Sequence, residues 1–318
     1  MKKLIFISIV ISLSSIVFCQ GLTDKLNILR GVKSEIRNEF NFEQNFGEWK
    51  EIPGKEKIHF QYDKKGNLID ESKYDSKGTL ISKSSFKYDK NKNRIEQMDY
   101  LPDGSLKYQI MFKYDTNGNK VEESKYDADG WKLYTKKNYV FAKYNSRGQV
   151  VEETKYDSDR LLKSKITYNY DSLGNLSESS RFGLMKSKIT NRYDIYGNIT
   201  EELKYDSEGI LTTQSVSEFD SIGNHIAWSM FDPDGELASI STDDLYLKDY
   251  SRWIGNYDTS GKPVEKLFYD SDENLKQKFV YNYSDNRNYE YVVYAYEYKF
   301  GEIQEIPVKK FTFEYEEY

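Results

Sequence analysis

Tyr62-Asp63-Lys64-Lys65-Gly66-Asn67-Leu68 is the stretch on which the fold turns. An aspartate opening a type I turn accepts hydrogen bonds from its own turn backbone, and a glycine three residues on takes the positive φ that closes the turn. Together they make a tight hairpin with a bulge, which sets Tyr62 opposite Leu68. The next aspartate is Asp75, so residues 67–74 form one strand and residues 79–88 the next.

The motif recurs through most of the chain. Clear copies begin at Tyr62, Tyr74, Tyr114, Tyr126, Tyr170, Tyr193, Tyr205, Phe219, Phe231 and Tyr257, and degenerate ones at Tyr88, Tyr100, Tyr144, Tyr156 and Tyr269. The turn pairs include Asp63 with Gly66, Asp75 with Gly78, Asp115 with Gly118, Asp171 with Gly174, Asp194 with Gly197 and Asp220 with Gly223. From Tyr62 to Tyr126 the steps are 12, 14, 12, 14 and 12 residues, a 26-residue unit of two strands. The spacing predicts an all-β antiparallel meander of hairpin repeats, too many strands for a flat sheet, curled into a shell, spiral or superhelical sheet.

Because 12 and 14 are even, strand alternation places the motif aromatics on one face with Leu68, Leu80, Phe86, Leu106, Tyr108, Ile110 and Phe112. Glu71, Lys73, Lys83, Lys87, Gln97, Asp99, Lys107 and Lys113 fall on the other. Ile69, Ile81, Ile95, Val121 and Val151 break that alternation, as contacts to a second layer or as a stripe where the sheet curls. A transmembrane barrel fits less well, since polar residues occupy both faces in mid-strand.

The ends differ. Residues 1–19 read as an export signal, with Lys2 and Lys3 before an apolar run too short for a comfortable membrane span. Two processing routes stay open: cleavage before Gln20, the favoured one, or lipidation of Cys19. Residues 20–56 are expected to hold an amphipathic helix over 22–40, from Leu26, Leu29, Val32, Ile36 and Phe40, then a linker with Trp49. The repeat domain is 57–283, with an insertion at 236–256, and residues 284–318 are aromatic-rich strands that cap it, with a turn at Lys299-Phe300-Gly301.

Tyr-Asp-x-x-Gly-Asn-Leu, complete at Tyr62 to Leu68 and Tyr170 to Leu176, resembles the YD repeat of RHS and teneurin-type proteins over about Tyr62 to Tyr283. A lesser likeness is to MORN-type repeats of bacterial surface proteins. The YD resemblance implies β-hairpins spiralling into a shell, and roles in cell-surface contact, carbohydrate binding or toxin encapsulation. The 26-residue unit here is longer than the family's, and toxin delivery is not expected.

Composition narrows the function. One Cys in 318 residues excludes a disulfide scaffold and a Cys-based zinc site, and two His, His59 and His225, leave little for a His-based metal or catalytic centre. A formal charge of −6 without a basic block argues against nucleic acid as a partner. Asp127-Ala128-Asp129-Gly130 and Asp232-Pro233-Asp234-Gly235 resemble the start of a calcium loop but lack its later ligands, so no cofactor or metal is expected; weak Ca²⁺ binding by stacked turn aspartates stays open. The adjacent glutamates Glu122-Glu123, Glu152-Glu153 and Glu201-Glu202 point to opposite faces and cannot share a substrate, so no catalytic residue is named. Trp131, Trp228 and Trp253 are candidate ligand-binding aromatics, each with a second reading as a plug where the repeat is irregular. The resulting expectation is an exported, non-catalytic protein of the bacterial cell envelope with a cell-surface glycan or envelope protein as partner. The alternatives are a structural scaffold, with or without a lipid anchor, and a carbohydrate hydrolase.

Overall fold

The structure is a computed structural model that describes residues 31–116, 118–183, 186–239, 250–283, 289–299 and 302–318. All its regular elements are strands in one antiparallel sheet. A long hairpin of β1 (Val32–Asn45) and β2 (Glu48–Tyr62) leads into β3 (Leu68–Asp75), β4 (Leu80–Tyr88), β5 (Arg94–Tyr100), β6 (Leu106–Tyr114) and β7 (Lys120–Asp127). Next come β8 (Lys132–Lys137), β9 (Tyr139–Tyr144), β10 (Val150–Tyr156), β11 (Leu162–Tyr170), β12 (Leu176–Phe182) and β13 (Ser187–Tyr193). The rest are β14 (Ile199–Tyr205), β15 (Leu211–Phe219), β16 (His225–Phe231), β17 (Arg252–Tyr257), β18 (Pro263–Tyr269), β19 (Leu275–Tyr283), β20 (Tyr289–Lys299) and β21 (Glu302–Glu317). Sequential strands pair, β21 returns to β1 with Glu35 opposite Tyr315, and the meander is nearly closed into a shell. At about 4.8 Å per strand such a ring is roughly 30 Å across.

The turns explain the motif. In the first, Asp63 Oδ1 accepts the N–H groups of Lys65 and Asn67 at 2.8 and 2.9 Å, and Asn67 Nδ2 donates to Asp63 Oδ2 at 2.8 Å. The motif glycines Gly66, Gly78, Gly118, Gly174, Gly197 and Gly223 all take positive φ, between 78° and 96°. Each also donates its N–H to the carbonyl of the turn aspartate three residues back: Gly78 to Asp75 at 3.0 Å, Gly118 to Asp115 at 3.1 Å, Gly197 to Asp194 at 3.2 Å and Gly223 to Asp220 at 3.1 Å. Asn145 does the work of the aspartate in a degenerate copy, accepting from the N–H groups of Arg147 and Gln149. The tyrosine hydroxyls tie one hairpin to the next where no turn joins them: Tyr88 donates to the Leu68 carbonyl, Tyr114 to Arg94 and Tyr170 to Val150, each at 2.8 Å. Lys92, Arg160 and Glu273 occupy the glycine's place in three degenerate copies, at φ 67°, 60° and 60°. A side chain there costs about 1 kcal/mol or more. Each of Lys92→Gly, Arg160→Gly and Glu273→Gly is therefore expected to stabilise the protein by roughly 0.5–1 kcal/mol, and the three to add. Urea unfolding of the triple variant checks this; unchanged stability would mean the turns are relaxed without glycine.

The expected division of faces needs correction. Beside each turn one residue is extra: Gln61 faces Asp70 but Tyr62 faces Leu68, leaving Ile69 over. The same shift leaves Ile81, Ile95, Val121 and Val151 over, which accounts for all five residues that broke the alternation. One extra residue turns every following side chain to the other side relative to its partner strand. Glu71, Lys73, Gln97 and Asp99 thus share a face with Phe60, Phe86 and Phe112, while Lys83, Lys87 and Lys113 lie on the opposite one. The motif aromatics divide too. Tyr62, Tyr88 and Tyr114 at one rim lie on the first face, and Tyr74, Tyr100 and Tyr126 at the other rim lie on the second. The first face carries most of the large buried side chains, including Phe86, Phe112, Ile166, Trp253 and Phe268, and is the inner one. The outer face has Ser72, Lys83, Ser124 and Lys165 in mid-strand, so among the described residues it offers no continuous apolar band to lipid.

The N-terminal expectation is overturned from Val32 onward. Val32, Ile36 and Phe40 belong to β1, paired on both sides, and residues 41–54 form the β1–β2 hairpin around Phe46-Gly47 rather than a linker. Both of those turn residues have positive φ, as a two-residue hairpin requires. Alternating Glu35, Arg37 and Glu39 against Ile36 and Asn38 suits a strand buried between β2 and β21, where partner strands override the helical spacing. Trp49 pairs with Gln44 on this hairpin and is exposed. The export signal, Cys19 and the earlier part of the helix lie outside the described residues, as do most of the insertion and the turn at Phe300-Gly301; β20 and β21 flank that turn with Lys299 opposite Glu302.

One place departs from the simple meander. β8 and β9 follow each other almost without interruption, β8 pairing with β7 and β9 with β10, and the Asn138 N–H continues the β7 ladder to the Val121 carbonyl at 2.8 Å. They amount to one long strand, its first half bound along one edge and its second half along the other. The seam leaves the opposite edge of each half without a partner strand among the described residues.

Candidate functional site

The structure separates the three candidate tryptophans. Trp228 and Trp253 face each other across β16 and β17 on the inner side, in a cluster with Met230, Tyr250 and Phe268. Trp253 is 2% exposed, and the Lys266 ammonium stands 4.5 Å over its ring. A bulge at Ile226, between Glu218 opposite Ala227 and Phe219 opposite His225, sets Trp228 on the inner face. Both are buried on the inner side, where β17 pairs with β16 and β18.

His225 stacks on Phe219 at 4.7 Å and meets Trp253 edge-on at 4.6 Å. Burial, helped by the Lys266 charge, pushes its pKa down to about 4. The ring is neutral at pH 7, and the unfolded chain, with an ordinary value of 6.5, takes up its proton first on acidification. Stability is therefore complete above pH 6.5 and falls by about 3 kcal/mol by pH 4 from this residue. His225→Phe keeps a ring in place and should flatten that part of the profile in urea unfolding between pH 7 and 4; identical profiles for both proteins would remove His225 from the account.

Trp131, by contrast, is 74% exposed. It closes the turn from β7 to β8, its backbone N–H donating to Asp127 Oδ1 at 2.8 Å, with its ring left to solvent. Around it the seam exposes Leu133, Tyr139, Phe141, Leu161 and Leu162. Leu133 and Leu162 follow the two turns that border the seam, and Phe141 lies edge-on to Tyr156 at 5.9 Å on the outer face. The neighbouring edge is basic: Lys132, Lys136 and Lys137 make no ion pair among the described residues, and Lys136 sits over the Tyr134 ring at 5.0 Å. Phe141 and Tyr139 were missed in the sequence, although one signal was present. The step from Tyr126 to Tyr144 is 18 residues, where the regular steps are 12 or 14.

The paired glutamates divide as strand geometry requires. Glu122 is bound by Lys113 at 2.8 Å and Glu152 by Lys143 at 2.8 Å on the outer face; Glu123 takes Lys120 at 2.7 Å and Glu153 takes Lys155 at 2.9 Å on the inner. The Lys113 hydrogen bond holds Glu122 below the usual carboxylate range, and the Lys120 hydrogen bond does so for Glu123. The Lys143 hydrogen bond likewise holds Glu152 low. The turn aspartates are engaged by backbone: the Asn175 N–H is foremost among the groups that hold Asp171 low. Among the described residues no group of three His, Cys, Asp or Glu is placed to hold a metal ion.

The sequence model of the Teneurin YD-shell family matches residues 23–181, half of the chain. The chain belongs to that family. No curated protein matches it. Among solved structures, a porin-like protein from Bacteroides uniformis is 10% identical, with a TM-score of 0.32 over 90% of this chain and 97% of the other. A DUF1329 family protein from Desulfovibrio piger is 7% identical, with a TM-score of 0.21 over 94% and 90%. The family match and the nearly closed sheet together make the chain a β-shell.

Proposed function

We propose that this YD shell is an exported, non-catalytic protein of the bacterial cell envelope that binds a protein partner at the seam between β8 and β9. The observation that carries the reading is the coincidence of two unpaired strand edges with the exposed aromatics Trp131, Tyr139 and Phe141. An unpaired edge supplies main-chain hydrogen bonds to an added strand, and exposed apolar side chains beside it supply affinity. The basic β8 edge fits an extended segment rich in Asp and Glu. A leader of the kind read in residues 1–19 brings the chain to the envelope, by cleavage before Gln20 or by lipidation at Cys19.

A photo-crosslinking residue placed at Phe141 in the native cell should give a discrete protein adduct, and one placed at Lys83 on the outer face away from the seam should not. Adducts at both positions or at neither would defeat this reading. A saccharide bound on a glycan array by the parent protein and lost in Trp131→Ala would replace the protein partner with a glycan.

A further inference from the structure

The insertion between β16 and β17 leaves the wall and returns to it at one spot. Before it, the Ala238 N–H donates to the Met230 carbonyl at 2.9 Å; after it, the Ser251 carbonyl accepts from the Met230 N–H at 2.9 Å. The hydroxyls of Ser239 and Ser251 stand 3.4 Å apart. Residues 240–249 between them lie outside the described residues. A stretch of that length with its ends together reaches about 17 Å at most, half of it going out and half coming back. The seam is farther away. β8 is eight strands from β16 in the ring. On a ring about 30 Å across that is a separation of roughly 28 Å. The insertion therefore falls short of the seam of its own molecule.

Charge and apolar pattern nevertheless match the two. Residues 240–249 read Ile-Ser-Thr-Asp-Asp-Leu-Tyr-Leu-Lys-Asp, three acids against one base, with Leu245, Tyr246 and Leu247 between them. β8 is the reverse: Lys-Leu-Tyr-Thr-Lys-Lys has three bases and no acid. Of the charges around its free edge, Glu122, Glu123 and Asp157 are matched by Lys113, Lys120 and Lys163. Asp127, Asp129 and Asp159 in the bordering turns then stand against Lys125, Lys132, Lys136, Lys137 and Arg160, so the edge keeps a net positive charge. Leu133, Leu161 and Trp131 are exposed beside it. The other acid-rich stretch, Glu314 to Glu317, is already paired with β1.

We infer that the partner at the seam is a second copy of this chain, whose residues 240–249 lie as an added strand along the free edge of β8. This rests on the seam as a strand-accepting edge and names the strand it accepts. The edge supplies main-chain hydrogen bonds, the β8 lysines meet Asp243, Asp244 and Asp249, and Leu245 and Leu247 cover Leu133 and its exposed neighbours. Because the segment cannot reach its own seam, the contact runs from one molecule to the next. Each copy then offers one segment and one edge, a head-to-tail interface that grows into a ring or an open chain of shells.

Sedimentation velocity of the purified protein tests this. The parent should form species larger than a dimer as its concentration rises, and these should dissociate as sodium chloride is added. The edge variant Lys132→Glu, Lys136→Glu, Lys137→Glu and the segment variant Asp243→Lys, Asp244→Lys, Asp249→Lys should each stay monomeric with unchanged circular dichroism. Mixed in equal amounts, they should give a dimer and nothing larger, since one intact edge and one intact segment remain. A synthetic peptide of residues 239–250 should break up the parent's oligomers without any substitution in the shell. The same peptide carrying Asp243→Asn, Asp244→Asn and Asp249→Asn should need about tenfold more. A monomeric parent, a segment variant that still assembles, a mixture that stays monomeric, or two peptides of equal potency would each overturn the inference. The crosslinker at Phe141 keeps the two readings apart. A monomeric parent whose probe still captures a different protein ends self-association and leaves the seam reading standing, whereas a probe that captures nothing ends both.

Discussion

Arg37→Ala is expected to lower the stability of the shell by about 3–5 kcal/mol, because it strands a buried carboxylate where the ring closes. Glu35 is wholly buried on β1, accepting from Arg37 Nη2 at 3.2 Å on one oxygen and from the Tyr62 hydroxyl at 3.1 Å on the other. Arg37 lies between the rings of Phe60 on β2 and Phe313 on β21, 5.2 Å from each, so one side chain bridges the three strands that join the beginning of the sheet to its end. Burial, with the Glu35 charge beside it, pushes the Tyr62 hydroxyl well above its ordinary range, so it stays a donor and does not compete as an anion. Removing Arg37 leaves the carboxylate with that one hydroxyl. Replacing both charges, as in Glu35→Met with Arg37→Met, should restore much of the loss, since the cost lies in the unpaired charge. Urea unfolding of the two variants measures both effects. Hydrogen exchange across β1 and β21 should show where the opening begins. A loss below about 1 kcal/mol in Arg37→Ala would mean that water reaches Glu35 and that the ring is held shut by its ladder alone.

The repeat itself was legible because its chemistry is local. An aspartate that binds its own turn, a glycine with positive φ and a period near a dozen residues are satisfied within one hairpin, so the meander, its turns and the family resemblance followed from the string of letters. The faces were not legible, although Ile69, Ile81, Ile95, Val121 and Val151 marked the places where the alternation failed. A bulge is a fact about two strands, and one sequence shows only one of them at a time. Val32 to Phe40 misled for a related reason. Their spacing suits a helix as well as a strand, and only the distant β21 decides between them. Trp228 and Trp253 carry the same lesson: the face on which each lies is set by its cross-strand partner, which is remote in the sequence.

Trp253→Ala is expected to cost about 3–5 kcal/mol, and Trp131→Ala less than about 0.5 kcal/mol, under the same denaturation conditions. The two residues are the same in chemistry and differ only in surroundings. Trp253 is packed by Trp228, His225 and Phe268, with Lys266 over its face, and its loss opens a cavity that a sheet with fixed register cannot close. The tightness is visible one turn of the pleat away: a Cβ built on Gly255 would meet the Trp253 ring at 3.1 Å and the Tyr257 ring at 3.3 Å, so this glycine leaves room for its neighbours. Phe268 is directly opposite Trp253 in the ladder, so the double variant with Phe268→Ala should fall short of the sum of the singles by about 0.5–3 kcal/mol. Full additivity would mean that the two rings are anchored independently and that the cluster is not one unit. A small loss in Trp253→Ala would show that β17 is pliable and that the inner tryptophans can be displaced, which would return them to the list of binding residues. A large loss in Trp131→Ala would place the seam inside the folding unit, and binding at its edge would then have to work around a residue the shell needs for itself.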